Sequence, residues 1–400
     1  MDILIIGGGQ AAASMAAKLR ALGHDGAITV IGDEPVAPYQ RPPLSKAYLL
    51  GDMPVERLTL RGPEWWDEQK IRLMTGVRAM RIDRATRQIE TTDGRFAYDQ
   101  LALTLGAAPK RLPAGLGGDL AGVHTVRNLG DIDRLQPQLV TGRRLVVIGG
   151  GYIGLEAAAV ARKLGLDVTV IEAGARILGR VASSETAEMI RALHRDHDVH
   201  ILENRTLARL KGDARIETVQ LSDGQEIPAD LVVLGIGIAP ETALAADAGL
   251  ALDNGIACDA QGRSSDPAIW AAGDCASFPW QGERVRLESV GNAIDMAELV
   301  AANMLGAGQD YAPKPWFWSD QYDAKLQIAG LNAGHDRVVK RAGSDALGGS
   351  VWYYRGDRLI AVDALNEARA YMVGKRLIEA GRSPDPALVA DPDTAVKELL

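Results

Sequence analysis

Apolar and polar positions follow the same order twice along this chain. Residues 3–32 (ILIIGGGQAAASMAAKLRALGHDGAITVIG) and residues 145–172 (LVVIGGGYIGLEAAAVARKLGLDVTVIE) each run from a continuous apolar stretch of strand length through a glycine turn into alanine-rich sequence. Each then ends in the β-branched run Thr-Val-Ile. An apolar run of that length bounded by glycine predicts a buried strand, the alanine-rich stretch a helix, and the β-branched run a second strand. Each copy is thus a βαβ unit, which predicts a parallel, doubly wound sheet in each of two domains. Near the C-terminus, residues 350–354 and 358–362 alternate and read as strands, while 367–379 reads as a helix.

The glycines carry a specific chemistry. In Gly149-Gly150-Gly151-Tyr152-Ile153-Gly154, Gly149, Gly151 and Gly154 have the spacing G-x-G-x-x-G. That spacing allows a sharp turn, close approach of the backbone to a pyrophosphate, and close packing of the following helix on its strand. The N–H groups at the helix start then face the phosphates. In the first copy Gly7, Gly9 and Ala12 form the corresponding set, with a methyl group in place of the third glycine, and Ala11 beside them is a further candidate for the same site. Two copies predict two dinucleotide sites. An acid closing the second strand of such a unit accepts hydrogen bonds from the adenosine ribose. Glu172 stands there in the second copy, 23 residues after Gly149, and its charge opposes the 2′-phosphate of NADP, favouring NADH; Arg176 nearby softens that preference. Gly32 occupies the equivalent position of the first copy, and the acids fall one and two residues later at Asp33 and Glu34, of which Asp33 is the expected ribose acid.

Four hundred residues predict roughly two or three domains. With 47% hydrophobic and 24% charged residues the chain has a globular composition, and its net charge of −8 disfavours nucleic acid and anionic membrane as partners. No stretch approaches the ~18 apolar residues of a membrane span. The apolar start is broken by Gly7, Gly8, Gly9 and Gln10 and lacks a basic leader, so it reads as strand and turn, not as a signal sequence. Cys258 and Cys275 are the only cysteines and form no CxxC or CxxxxC pair, which predicts structural thiols and a reducing cytoplasm. His194, His197 and His200 mimic a metal motif, but no rigid ligand set completes it; they are expected to be solvated surface histidines, with no metal.

Taken in order, Arg41-Pro42-Pro43-Leu44-Ser45-Lys46, the second glycine motif, Ala271-Ala272-Gly273-Asp274-Cys275-Ala276, Glu288-Ser289-Val290 and Pro315-Trp316-Phe317-Trp318-Ser319-Asp320-Gln321-Tyr322 resemble one family across essentially the whole chain. It is the branch of glutathione-reductase-like flavoproteins containing the ferredoxin reductases of oxygenase systems. The resemblance implies an α/β fold of two Rossmann-like dinucleotide-binding domains plus a C-terminal α+β domain. The FAD-binding domain would be discontinuous, residues 1–109 and 241–313, around an NAD-binding domain of 110–240, with the C-terminal domain spanning 314–400. Glycine then proline at both crossings, in Gly106-Ala107-Ala108-Pro109 and Gly237-Ile238-Ala239-Pro240, suits hinge-like connections.

The same resemblance assigns roles. Asp274 meets the FAD ribityl chain, a place where a helix N-cap would be equally at home. Val290 offers backbone to the flavin ring ahead of a helix N-terminus, and Arg127 contacts FAD. Lys46 lies near flavin N5 and pairs with Glu156, which also meets the nicotinamide end of NADH. Where the disulfide reductases carry two cysteines, this chain has Pro38 and Pro43, so no dithiol can relay electrons there. Trp316 and Trp318 sit two apart, on one side of a strand, and Trp318 lines the route to a docked ferredoxin. The implied enzyme is an NADH-dependent reductase that uses FAD to pass single electrons to a [2Fe-2S] ferredoxin serving a cytochrome P450 or a ring-hydroxylating dioxygenase. Arg41, Arg61 and Lys325 are the expected docking cations. Rubredoxin reductase or NADH oxidase activity on the same scaffold is the nearer alternative; a redox-gated binding protein resembling apoptosis-inducing factor is the alternative of another class, which the acidic balance disfavours.

Overall fold

The computed structural model describes residues 1–343 and 347–400. Its chain divides into two compact units: Met1–Gln40, Val55–Ala108 and Ile238–Pro315 form the first, and Arg41–Pro54, Pro109–Gly237 and Trp316–Leu400 the second. The sequence places residues 41–54 with the first nucleotide domain, whereas in the structure they cluster with the second unit. No helix among the described residues is long and apolar enough to cross a membrane.

In the first unit a five-stranded parallel sheet runs in the order Ile269–Ala271, Gln100–Leu103, Ile3–Ile6, Ile28–Ile31, Ile71–Met74. Ile3 pairs with Ile28 on one side and with Gln100 on the other. The continuous apolar runs have no polar alternation because a central parallel strand is covered on both faces. Helices Gln10–Ala21 and Val290–Met304 pack against each other, with Met15, Leu19, Met296 and Val300 fully buried. Both cysteines lie in this unit as free, buried thiols. Burial pushes the Cys275 thiol up to about 11 and that of Cys258 higher still, so both stay protonated and unreactive.

The second unit repeats the plan with the order His200–Leu202, Asp167–Ile171, Arg144–Ile148, Leu231–Leu234, Val123–His124, all parallel. It also contains an antiparallel sheet in the order Trp316–Gln321, Ala324–Gly330, Arg358–Leu365, Gly349–Arg355, Arg337–Ala342, with helix Ala368–Glu379 against it. Strands and helix therefore stand where the alternation places them. The fold is the expected pair of Rossmann-like sheets with a C-terminal α+β part.

Helix Ser184–Asp196 is tied to the antiparallel sheet by a buried carboxyl. Asp363 Oδ2 accepts from Thr186 Oγ1 at 2.8 Å and from the Tyr353 hydroxyl, while its Oδ1 has no hydrogen-bond partner among the described residues. Burial outweighs those two donors and pushes the carboxyl up to about 6. Because the folded value exceeds the unfolded one, the folded state binds the extra proton, and the stability contributed by Asp363 falls as pH rises from about 4 to about 6. Asp363→Asn cannot ionise, so its stability relative to the parent chain should improve by up to roughly 3 kcal/mol between pH ~4 and ~7. Urea unfolding at both pH values measures this; an unchanged difference would show that Asp363 does not titrate in that window.

Candidate functional site

The first glycine turn is built by close approach. Gly7 has φ +113°, and a Cβ there would lie 2.2 Å from the Thr104 carbonyl oxygen. Thr104 Oγ1 in turn donates to the Ile6 carbonyl at 3.0 Å. Only glycine adopts that backbone angle at that distance without strain. Gly8 runs against Gly32, each with its Cα within 3.2 Å of where the other's Cβ would stand. That contact gives the physical reason the first copy has no acid at position 32. A Cβ on Gly9 would meet nothing within 4 Å. Helix Gln10–Ala21 starts there without a side-chain cap, leaving its first N–H groups beside open space.

Two other segments end at the same place. The turn carrying Asp274 abuts Ala11, since a Cβ on Gly273 would sit 3.3 Å from the Ala11 methyl and 3.9 Å from that of Ala293. Asp274 leads into strand Ala276–Trp280, so the helix N-cap alternative is excluded; Arg286 donates to its carbonyl at 3.1 Å. Val290 is the first residue of helix Val290–Met304, capped by Ser289, whose hydroxyl accepts from the Asn292 N–H at 3.1 Å. Asp33 is exposed and 3.2 Å from Arg78. The neighbouring Glu34, the other acid at the end of this strand, accepts from the Tyr39 hydroxyl at 2.6 Å and is more enclosed.

The second turn has the same construction. Gly149, at φ +105°, would place a Cβ 2.3 Å from the Gly235 carbonyl oxygen; Gly154 would place one 2.3 Å from the Gly149 carbonyl oxygen and 3.1 Å from Val147; Gly151 meets nothing within 4 Å. Helix Tyr152–Lys163 also begins without a side-chain cap. Both turns therefore fit a pyrophosphate: an open cradle at the second glycine and a helix start that no side chain caps among the described residues. The Glu172 carboxylate spans this turn, accepting from Gly150 N–H at 2.8 Å and from Gly174 N–H at 2.6 Å. The Arg176 guanidinium is directed to the Ser183 carbonyl, 3.3 Å away.

A buried ionic cluster forms the third element. Lys46 closes the short 3-10 helix Pro42–Ser45, and its Nζ is 2.7 Å from Glu156 Oε2 on helix Tyr152–Lys163. The Ser45 hydroxyl donates to the same oxygen at 2.5 Å, and the Ser319 hydroxyl donates to Oε1 at 2.6 Å. Glu156 is 3% exposed and Lys46 17%. Burial raises the carboxyl above its ordinary value, and Lys46 together with the two serines pulls it back.

The structure thus brings Lys46 and Glu156 together as the motifs require and adds Ser45 and Ser319, which the sequence reading did not single out. Strand alternation could have found Ser319: Trp316 and Trp318 stack on one side, with ring centroids 5.4 Å apart, which leaves Phe317, Ser319 and Gln321 on the other. Arg127 is half-buried and its carbonyl accepts from Arg41 at 2.9 Å. The surface expectation fails for His194, which is fully buried, because its helix face packs inward. His197 is half-buried and stacked on Tyr322, and His200 is exposed. Among the described residues no three His, Cys, Asp or Glu side chains are placed to hold a metal ion.

Residues 1–297 match the family described as pyridine nucleotide-disulphide oxidoreductase, and residues 316–400 match the reductase C-terminal family. The chain is 43% identical to rhodocoxin reductase of Rhodococcus erythropolis, over 99% of its own length and 94% of the relative. It is 42% identical to the ferredoxin–NAD(+) reductase component of the anthranilate 1,2-dioxygenase system of Burkholderia cepacia, over 99% and 98%. The crystal structure of a covalent putidaredoxin reductase–putidaredoxin complex superposes with a TM-score of 0.96 at 39% identity, covering 100% of this chain and 97% of the other.

The ion pair supplies its own test. Removing one partner of a buried pair leaves an uncompensated charge, whereas removing both does not. Lys46→Met should therefore destabilise the fold by about 3 kcal/mol, and adding Glu156→Gln should recover part of the loss. Unfolding midpoints of the two single variants and the double variant measure the coupling; additive losses would mean that the two charges do not depend on each other.

Proposed function

The chain belongs to the pyridine nucleotide-disulphide oxidoreductase family, and on that premise we propose that it is an NADH-dependent ferredoxin reductase supplying an oxygenase. The observation that carries this reading is the Lys46–Glu156 pair standing without a dithiol. Pro38 and Pro43 occupy the places of the family's cysteines, and the chain's two thiols lie elsewhere, buried and protonated. Electrons must then leave for an external one-electron carrier. FAD, when bound, takes a hydride from NADH and releases electrons singly, which matches a [2Fe-2S] ferredoxin feeding a cytochrome P450 or, second, a ring-hydroxylating dioxygenase. We place the protein in the cytoplasm, where its free thiols stay reduced.

Gly7, Gly9, Ala11 and Ala12 cradle the pyrophosphate of FAD, Asp33 its adenosine ribose, Asp274 its ribityl chain, and Val290 the flavin ring at a helix N-terminus that favours negative charge. Arg127 adds a contact to FAD. Gly149, Gly151, Gly154 and Glu172 hold NADH. Lys46, paired with Glu156, would offset negative charge on the flavin, and Trp318 would line the way out to the ferredoxin. These assignments give the FAD domain as residues 1–109 and 241–313, the NAD domain as 110–240 and the C-terminal domain as 314–400.

Mixing the FAD-loaded protein with NADH, a [2Fe-2S] ferredoxin and cytochrome c tests the function. Cytochrome c reduction should require the ferredoxin and should fall as salt rises, because an acidic ferredoxin meets cations such as Arg41, Arg61 and the exposed Lys325. Ferricyanide reduction should respond less. Rapid dioxygen consumption with no gain from ferredoxin would make the enzyme an NADH oxidase; turnover with rubredoxin alone would make it a rubredoxin reductase.

Glu172 decides the cofactor. Bound to two backbone N–H groups, its carboxylate is held in place and still has lone pairs for ribose hydroxyls. Losing those bonds and gaining repulsion from a 2′-phosphate should favour NADH over NADPH by about tenfold to a few hundredfold in kcat/KM. Glu172→Ser should narrow the ratio with the flavin spectrum unchanged. A ratio that does not move would remove Glu172 from the site.

A further inference from the structure

Beyond the ion pair, hydrogen bonds continue inward from Ser319. The Ser319 hydroxyl, which donates to Glu156, accepts from Gln321 Nε2 at 3.0 Å. Gln321 Oε1 lies 2.7 Å from His194 Nε2 on helix Ser184–Asp196. An amide oxygen can only accept, so His194 carries its proton on Nε2. Its Nδ1 is left as the acceptor, with the Tyr322 hydroxyl 3.4 Å away. Glu156, Ser319, Gln321 and His194 are each at most 3% exposed.

Every bond in this series points the same way. His194 donates to Gln321, Gln321 donates to Ser319, and Ser319 donates to the carboxylate. Aligned donors polarise one another and strengthen the last bond. A reversed Gln321 amide would present its oxygen to Ser319 and draw the hydroxyl proton away from Glu156. An amide passes protons poorly, so the series suits orientation, not conduction. Burial lowers the His194 imidazole to about 4, which keeps the ring neutral and its single N–H direction constant at ordinary pH. The ionisable groups around it are His197 and Tyr322, with Arg162 acting on Tyr322; around Glu156 they are Lys46 and the Tyr152 phenol.

We propose that His194 and Gln321 are positioning residues for the redox centre: the neutral imidazole orients the Gln321 amide, the amide orients the Ser319 hydroxyl, and the hydroxyl holds the Glu156 charge toward Lys46. The inference rests on the reading of Lys46 and Glu156 as the pair that acts at the flavin, and it extends that centre to a histidine on a different helix. His194 then biases the protonation of Glu156 through Gln321 and Ser319.

The test uses the FAD-loaded enzyme and two readouts. The infrared carboxylic-acid band of Glu156, identified by its loss in Glu156→Gln, is titrated with pH, and the rate at which NADH bleaches the flavin is followed over the same range. Gln321→Met, His194→Leu and Ser319→Ala each break the series and should move the band's titration, and the acid limb of the bleaching rate, up by about one pH unit. His194→Gln keeps an N–H near the position of Nε2 and should return both toward the parent values. A merely structural role would lower the melting temperature in these variants without moving the band. An unmoved titration in folded, yellow Gln321→Met and Ser319→Ala overturns the proposal. If Glu156→Gln is bleached by NADH at the parent rate, the redox reading of the pair falls, and the infrared titration still decides the hydrogen-bond series on its own.

Discussion

A carboxylate taken out of water must find compensating partners, and the arrangement around Glu156 is organised by that need. Lys46 provides the counter-charge, and Ser45 and Ser319 fill two further acceptor sites. These groups come from three stretches of chain, 45–46, 156 and 319, so the need of one buried anion ties a proline-rich loop, the nucleotide helix and an edge strand to one point. The short segment Arg41–Pro54 accordingly groups with the second unit, although the residues on either side of it belong to the first.

The two glycine turns solve one problem with different side chains. Both need a first glycine with positive φ against the carbonyl one residue past a neighbouring strand and a second glycine facing open space. They diverge at the end of the second strand. In the second copy Glu172 reaches back to Gly150 N–H and braces the turn with a charge. In the first copy Gly8 and Gly32 touch backbone to backbone, and no side chain fits between them. The acids there are pushed one and two residues onward, to an exposed Asp33 and a Glu34 held by Tyr39.

Much of this was legible in residue order alone, because the features concerned are local. Period and run length place the strands, glycine spacing reports the turns, and the Trp316–Trp318 interval puts two rings on one side of a strand. The same alternation places Ser319 and Gln321 on the opposite face, yet local pattern does not say what that face meets. His194 shows the limit most clearly. Spaced three residues from His197 and followed by Arg195 and Asp196, it has the sequence neighbourhood of a surface residue, but it packs against Gln321, 127 positions away.

Asp274 marks the same boundary. Both a ligand-facing aspartate and a helix cap suit a residue after Gly273, and the local sequence does not separate them; the pairing of the next segment as strand Ala276–Trp280 rules out the cap. By itself, then, the sequence determined the two βαβ units, the loss of the dithiol at Pro38 and Pro43, and the charges that had to find partners. The tertiary structure decided which partners they found. Burial and hydrogen-bond direction depend on residues far apart in the chain, and no spacing within a single element encodes them.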